Sequence, residues 1–196
     1  MLFKNIAILN ENFEVEQNMY VVTEGDNIRY IGKEMPEGDF DQTYAGDGKL
    51  LMPGFYNSHA HSPMSLMRGY GENLALQAWL NQRIFPFEDK LDSNAVYWGT
   101  TLAMAESLRF GIVSSSDMYY FIDDMVNAVV DCGAKANISR AIVNFDDSDV
   151  WQLPSMQEMK RTFEAYHNIE NGRIKMDMSI HGEYTSNPLA VEAVSS

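Results

Sequence analysis

The first 50 residues alternate apolar and polar positions in short runs, and this alternation is typical of β-strands. Polar or glycine-containing turns at residues 24–26 and 46–48 separate the runs, and no helical period of useful length is present. The predicted strands cover residues 2–9, 20–23, 27–31 and 43–45. The pattern therefore predicts a small all-β, sandwich-like domain over residues 1–50.

From residue 51 onward, apolar runs rich in β-branched residues alternate with longer segments of helical period. This alternation indicates βα units around a parallel sheet. The predicted strands are 54–59, 112–116, 135–143 and 175–180, and the predicted helices are 95–110, 123–130, 155–169 and one beginning at 188. We expect an α/β fold in which residues 51–196 form about four units of a (β/α)8 TIM-type barrel. Because such a barrel has eight strands, the chain is expected to be a truncated N-terminal part.

Composition and charge exclude several classes of protein. Apolar residues make up 45% of the chain and charged residues 21%, which excludes a disordered chain. A net charge of −14 disfavours nucleic acid and anionic membranes as partners. One cysteine, Cys132, cannot form an internal disulfide, and no apolar stretch is long enough for a signal peptide or membrane span. A cytoplasmic protein is expected.

His59 and His61 follow one another at the end of the first predicted barrel strand. Side chains two residues apart on a strand point to the same face, so both imidazoles can reach one divalent metal ion. Imidazole suits zinc, and also iron, and two ligands leave room for further ligands and a water. A bare His-x-His also occurs by chance at strand ends, so the pair needs support from its context.

That context is the segment 52–61, which reads Met-Pro-Gly-Phe-Tyr-Asn-Ser-His-Ala-His. It resembles the motif that opens the barrel of the amidohydrolase superfamily. Further segments resemble the branch of methylthioadenosine/S-adenosylhomocysteine deaminases and chlorohydrolases, namely residues 66–70, 79–80, 85–88, 96–100 and 117–120. The resemblance implies a metal-dependent hydrolase, with zinc favoured over iron, that deaminates an aminated purine nucleoside or a related heterocycle.

The resemblance also implies roles for individual residues. His59 and His61 would bind the metal, Glu88 would contact ribose hydroxyls, and Arg140 would favour an anionic or carbonyl tail of the ligand. His181, at the end of the fourth barrel strand, would face the substrate. Outside the family context, a glutamate such as Glu88 is more often a solvated surface carboxylate, and an arginine such as Arg140 is more often a structural ion-pair partner.

Two observations leave alternatives open, and one histidine has no assigned role. Gly182 and Glu183 depart from the His-Ala-Pro-Tyr-Thr motif that the segment beginning at His181 otherwise resembles, and Glu183 is either a modifier of ligand preference or a solvated loop residue. Asp117, after the second barrel strand, has a loop-capping or a chemical role. His167, within the third predicted helix, is assigned no role.

The branch takes its remaining metal ligands and its proton-shuttling Glu from the fifth and eighth barrel strands. None of these lies within the 196 residues, so the catalytic acid–base residues are expected beyond residue 196 and this chain alone is expected to be inactive. Binuclear members of the superfamily place a carboxylated Lys at the end of the fourth strand, where this chain has His181. Because Lys175 lies at the opposite end of that strand, the resemblance implies a mononuclear site. The expected partner is a small-molecule substrate. The alternatives are a chlorohydrolase or other C–N hydrolase, and an inactive half-barrel that self-associates as a homo-oligomer through its open sheet edges.

Overall fold

Five strands form one mixed sheet in the N-terminal part of the computed structural model, which describes residues 1–196 and divides into units at residues 1–54 and 55–196. Their order is β3-β2-β1-β4, with β5 also paired to β1. The strands are β1 (Leu2–Leu9), β2 (Val15–Glu24), β3 (Asn27–Gly32), β4 (Thr43–Ala45) and β5 (Leu50–Leu51). This unit contains a single sheet, whereas a sandwich has two, so the sandwich-like arrangement stays a prediction.

β2 begins five residues before the predicted strand 20–23. Its register against β1 shifts on both sides of Ile6, which marks bulges, and Asn18 has a φ of +58°. A bulge interrupts the strict alternation of side chains, and for this reason the pattern revealed only the second half of the strand. One face of β1 and β2 carries the core of this unit, which consists of Ile6, Ile8, Met19 and Val21.

Four parallel strands form the sheet of the second unit, in the order β6-β7-β8-β9. They are β6 (Phe55–Ala60), β7 (Ile112–Met118), β8 (Lys135–Ile142) and β9 (Ile174–Ile180). The prediction of an α/β fold with a parallel sheet is confirmed. Because all four strands run the same way, their carboxyl ends meet at one edge, where binding sites of such folds lie.

Helices connect these strands. They are α1 (Leu76–Trp79), α2 (Phe85–Glu88), α3 (Ser93–Arg109), α4 (Ile122–Cys132), α5 (Pro154–Tyr166), α6 (Ile169–Gly172) and α7 (Pro188–Ser195). Short 3₁₀ turns lie at Ser62–Met67, Val150–Gln152 and Glu183–Thr185, and a π turn at Leu80–Ile84. The Asp92 carboxylate caps α3 by accepting the Ala95 N–H at 2.8 Å. No helix of the protein is both long and apolar enough to cross a bilayer.

The predicted helix 155–169 ends earlier in the structure, because Tyr166 is its last helical residue. His167 follows as the C-cap, with its Nδ1 atom 3.1 Å from the Met176 carbonyl oxygen, and Asn168 has a φ of +71°. The backbone therefore leaves the helix at a residue type that tolerates the left-handed conformation. His167 joins the helix end to β9 rather than lying within a helix.

The two faces of the second sheet differ in polarity. Ile138, Ile174 and Met176 are fully buried against Met125 of α4 and Met159 of α5. The opposite face carries a polar layer, in which Ser139 pairs in register with Asp177 and the Ser179 hydroxyl donates to the Ser139 hydroxyl at 2.9 Å. The apolar face thus holds the sheet to its helices, and the strand ends remain for polar side chains.

Candidate functional site

His59 and His61 lie together at the carboxyl end of β6. Three steps along β6, from Asn57 to Ala60, face two steps along β7, so β6 contains a bulge at this point. The Asn57 side chain accepts the His59 backbone N–H at 3.2 Å. The two Nε2 atoms are 3.1 Å apart and the rings are nearly perpendicular, at 85°. The structure therefore brings the two imidazoles together, and their role as metal ligands stays a prediction.

A backbone contact determines the orientation of His61. Its Nδ1 atom lies 2.7 Å from the carbonyl oxygen of Met118, the last residue of β7. A carbonyl oxygen only accepts, so Nδ1 carries the proton and the Nε2 lone pair faces His59. Metal-binding histidines commonly donate their second N–H to a backbone carbonyl in this manner.

The pair fits a divalent metal ion. Ligand nitrogens bind zinc at about 2.0–2.1 Å, and two nitrogens 3.1 Å apart can both reach one ion at that length. No group of three or more His, Cys, Asp or Glu side chains is placed to hold a metal ion. His59 and His61 would thus supply two ligands.

Asp117 lies beside this pair and is only 2% exposed. Its Oδ1 atom accepts the backbone N–H of Ser62 at 3.1 Å, and its Oδ2 atom has no hydrogen-bond partner. Burial raises the pKa of the Asp117 carboxyl, and the bond from Ser62 opposes that rise. Of the two roles considered for Asp117, loop capping and chemistry, the bond from the Ser62 N–H corresponds to loop capping.

Glu88 and Arg140 line a separate cleft of about 530 Å³, together with Tyr120 and Glu158. Arg140 donates from Nε to Glu158 at 3.1 Å, and its guanidinium lies 4.6 Å from the centre of the Tyr120 ring. The ion-pair alternative for Arg140 is therefore seen in the structure. The substrate-binding roles of Glu88 and Arg140 stay predictions.

Glu88 is half-buried rather than a solvated surface carboxylate. The Tyr119 hydroxyl donates to its Oε1 atom at 2.7 Å. Burial raises the pKa of Glu88, while the bond from Tyr119 and the nearby His61 ring lower it. A group with a shifted pKa in a cleft is a candidate for a functional role.

Tyr119 and Tyr120 connect the two groups of predicted residues. The rings of His61 and Tyr119 lie 6.4 Å apart, those of Tyr119 and Tyr120 lie 4.9 Å apart, and Tyr120 stacks under Arg140. Sequence reasoning gave neither tyrosine a role, although both lie in the segment 117–120 that carries the family resemblance. Their place directly after the end of β7 was the signal that could have identified them.

His181 follows β9 and does not line the cleft of Glu88 and Arg140. Its Nδ1 atom lies 3.1 Å from the Thr185 hydroxyl, and its amide donates to the Ile142 carbonyl at 3.0 Å. Burial lowers the pKa of His181, and the nearby His61 ring lowers it further. The role of His181 in substrate binding stays a prediction.

Comparison with known proteins identifies related sequences. The model of the amidohydrolase family matches residues 50–196. The chain is 34% identical to a 5-methylthioadenosine/S-adenosylhomocysteine deaminase of Thermoanaerobacter pseudethanolicus, over 94% of this chain and 43% of that protein. It is also 34% identical to a 5'-deoxyadenosine deaminase of Methanobrevibacter smithii, over 99% of this chain and 44% of that protein. The chain thus spans less than half of the length of these curated relatives.

Solved structures show the same fold. An atrazine chlorohydrolase from Arthrobacter aurescens, complexed with zinc, superimposes with a TM-score of 0.87 at 19% identity, over 99% of this chain and 49% of that one. An adenosine deaminase from Xanthomonas campestris with bound zinc gives a TM-score of 0.85 at 25% identity, over 99% of this chain and 45% of that one. Since the family model covers residues 50–196 and the parallel sheet has these neighbours, the chain belongs to the amidohydrolase family.

Proposed function

We propose that the protein containing this chain is a metal-dependent hydrolase that deaminates an adenosine-type nucleoside or a related aminated heterocycle. The observation that carries the proposal is the pair of imidazole Nε2 atoms 3.1 Å apart, with the Nδ1 atom of His61 held by the Met118 carbonyl. Family membership and the deaminases among the relatives support the choice of reaction.

His59 and His61 would hold one divalent metal ion, and zinc is proposed because two solved neighbours contain it. When bound, such an ion acidifies water and so supplies hydroxide near neutral pH. The residues of this chain orient the two imidazoles and keep the proton of His61 on Nδ1. The acid–base residues that move protons to the leaving group are proposed to lie beyond residue 196.

Glu88 and Arg140 are proposed to bind the substrate from the cleft that they line, and His181 from the end of β9. A half-buried carboxylate suits a pair of ribose hydroxyls, because it offers several acceptor lone pairs. Arg140 already pairs with Glu158, so an anionic ligand group would share or replace that partner. This competition favours a substrate whose tail is neutral or only weakly anionic.

Zinc binding and ammonia release test the proposal. We expect His59→Ala and His61→Ala each to reduce the zinc content of the chain, whereas His167→Ala leaves it unchanged, because His167 contacts the Met176 carbonyl instead. The full-length protein, loaded with zinc, should release ammonia from adenosine or 5'-deoxyadenosine. Unchanged zinc content in both variants, together with no ammonia release, would contradict the proposal. Chloride release from a chlorinated triazine would keep the metal site and change the leaving group.

A further inference from the structure

Asp117 is a buried carboxylate, and burying a carboxylate is energetically unfavourable. It lies on β7, is 2% exposed, and accepts the Ser62 N–H at Oδ1. Its second oxygen, Oδ2, is buried and has no partner. Burying a charged group that is only partly satisfied destabilises a fold, so a side chain of this kind requires a compensating role.

The acceptor of the Ser62 N–H matters because of where Ser62 lies. Ser62 is the first residue of the 3₁₀ turn Ser62–Met67, and the residue before it, His61, makes no side-chain capping bond to that turn. The first N–H groups of a helical turn lack partners within the turn. Asp117 supplies the missing cap from the neighbouring strand rather than from the turn itself.

Met118, the next residue of β7, contacts His61, the residue that precedes Ser62. The Met118 carbonyl accepts the Nδ1 proton of His61 at 2.7 Å, while Asp117 accepts the amide proton of Ser62 at 3.1 Å. Two consecutive residues of β7 therefore hold two consecutive residues after β6. The pairing of Ala60 with Asp117 in the sheet register sets both contacts in place.

We propose that Asp117 is a positioning residue for His61. By fixing the backbone at Ser62, it keeps the imidazole in contact with Met118 and keeps its Nε2 atom directed at His59. This inference rests on the proposed function for its purpose, because the Nε2 direction matters only if the pair binds a metal. The positioning itself is a property of the metal-free chain and can be measured there.

Two variants and one control separate positioning from general packing. Asp117→Ala removes the acceptor, whereas Asp117→Asn retains a carbonyl oxygen of similar shape for the Ser62 N–H and removes the charge. Ser115→Ala is the control, since Ser115 is 3% exposed on the same strand and takes no part in the hydrogen bonds of the two histidine rings. The readouts are amide hydrogen exchange at Ser62, the ¹⁵N shifts of the His61 ring, and zinc affinity in competition with a chromophoric chelator.

In the metal-free chain, Asp117→Ala should accelerate exchange at Ser62 by about tenfold, as the loss of one hydrogen bond implies. The His61 ring should change from one Nδ1-protonated tautomer to a mixture. Zinc affinity should fall by about tenfold or more, as it does when an outer partner of a metal ligand is lost. Asp117→Asn should restore all three, and Ser115→Ala should change none.

The inference is overturned if Asp117→Ala changes Ser62 exchange and the His61 tautomer no more than Ser115→Ala does. It is also overturned if folded Asp117→Asn shows fast exchange at Ser62. Should Asp117→Ala fail to fold, the Asp117→Asn result alone decides, because that variant retains the acceptor. Absence of zinc binding in the wild-type chain would contradict the proposed function but would leave the two metal-free readouts as the test of positioning.

Discussion

Two regions of the second unit hold their polar side chains by different means. At the end of β6, His61 and Ser62 are held by Met118 and Asp117 of the adjacent strand, and each of these contacts involves a backbone group. In the cleft of Glu88 and Arg140, most contacts join one side chain to another, although Arg140 also donates from Nη1 to the Ala141 carbonyl at 3.2 Å. Glu88 accepts from the Tyr119 hydroxyl, and Arg140 pairs with Glu158 and stacks on Tyr120.

The difference bears on what each region can do. A backbone carbonyl at the end of a sheet strand is fixed by strand pairing, so the His61 ring has little freedom to turn. Contacts between side chains rearrange by rotation about χ angles, at the cost of one or two hydrogen bonds. The first region is thus suited to ligands that must keep a fixed geometry, and the second to a surface that adapts to its ligand.

Gly99 offers the largest expected effect on the rigid region. It is buried on α3, and a Cβ atom there would lie 2.8 Å from the Pro63 carbonyl oxygen and 3.0 Å from the Pro63 Cα. These are backbone atoms of the turn after His61, so they cannot rotate out of the way. We expect Gly99→Ala to lower the free energy of unfolding by about 1–2 kcal/mol, because the steric cost exceeds the gain in helix propensity. Urea unfolding measures the loss.

The same substitution should disturb the histidine pair, since Pro63 lies two residues after His61. We expect a change in the ¹⁵N shifts of the His61 ring and a lower zinc affinity. Asn94→Ala, at an exposed position of the same helix, is the control and should stay within about 0.5 kcal/mol of the wild type. A Gly99→Ala protein with unchanged stability and unchanged ring shifts would show that the turn is not held rigidly.

Arg140→Ala tests the adaptable region and should have a smaller effect. The side chains of Arg140 and Glu158 are 19% and 28% exposed, so the ion pair is partly solvated and its loss should cost about 1 kcal/mol. The His61 tautomer and zinc affinity should not change. Glu158→Gln is the matched variant and should lower stability no more than Arg140→Ala. A shift of the His61 ring in either variant would show that the two regions are coupled, contrary to this comparison.

Much of the second unit could be predicted from sequence because its strands are regular. The predicted strand 112–116 extends two residues further in the structure, to Met118, and 175–180 begins one residue earlier, at Ile174. Spacing along a strand predicted that His59 and His61 share a face. In the structure the two rings meet, but β6 ends at Ala60, so His61 lies just beyond the strand. The bulge in β6 was not predicted, because it depends on the register against β7 and leaves no trace in a polar segment.

Contacts between segments far apart in the chain could not be predicted. The bond between Asp117 and Ser62 joins residues 55 positions apart, and the bond between Tyr119 and Glu88 joins residues 31 positions apart. Residues 62–91 contain only short turns and helices, which have no periodic pattern long enough to detect. The sequence therefore indicated which residues carry chemistry, and strand register and turn geometry determined which of them touch.

Tyr119→Phe should have an effect that is confined to part of the pH range, and it sharpens the comparison through pH. Burial raises the pKa of Glu88 in the folded protein above its unfolded value, so this group adds stability below about pH 4.3 and that stability is lost as pH rises through the folded pKa. The Tyr119 hydroxyl bonds to the charged form and limits the rise. Without the Tyr119 hydroxyl, the pKa of Glu88 should rise further. The free energy of unfolding of the variant should fall about 1 kcal/mol below that of the wild type at pH values above the folded pKa of Glu88, and by less at lower pH. The ¹³C shift of the Glu88 carboxyl and urea unfolding at several pH values measure both.

Tyr97→Phe, which removes an equally short bond to Asp131, should leave the Glu88 titration unchanged. If Glu88 titrates at its ordinary value in both proteins, its carboxylate is solvated, and the cleft adapts by opening to water rather than by exchanging side-chain partners.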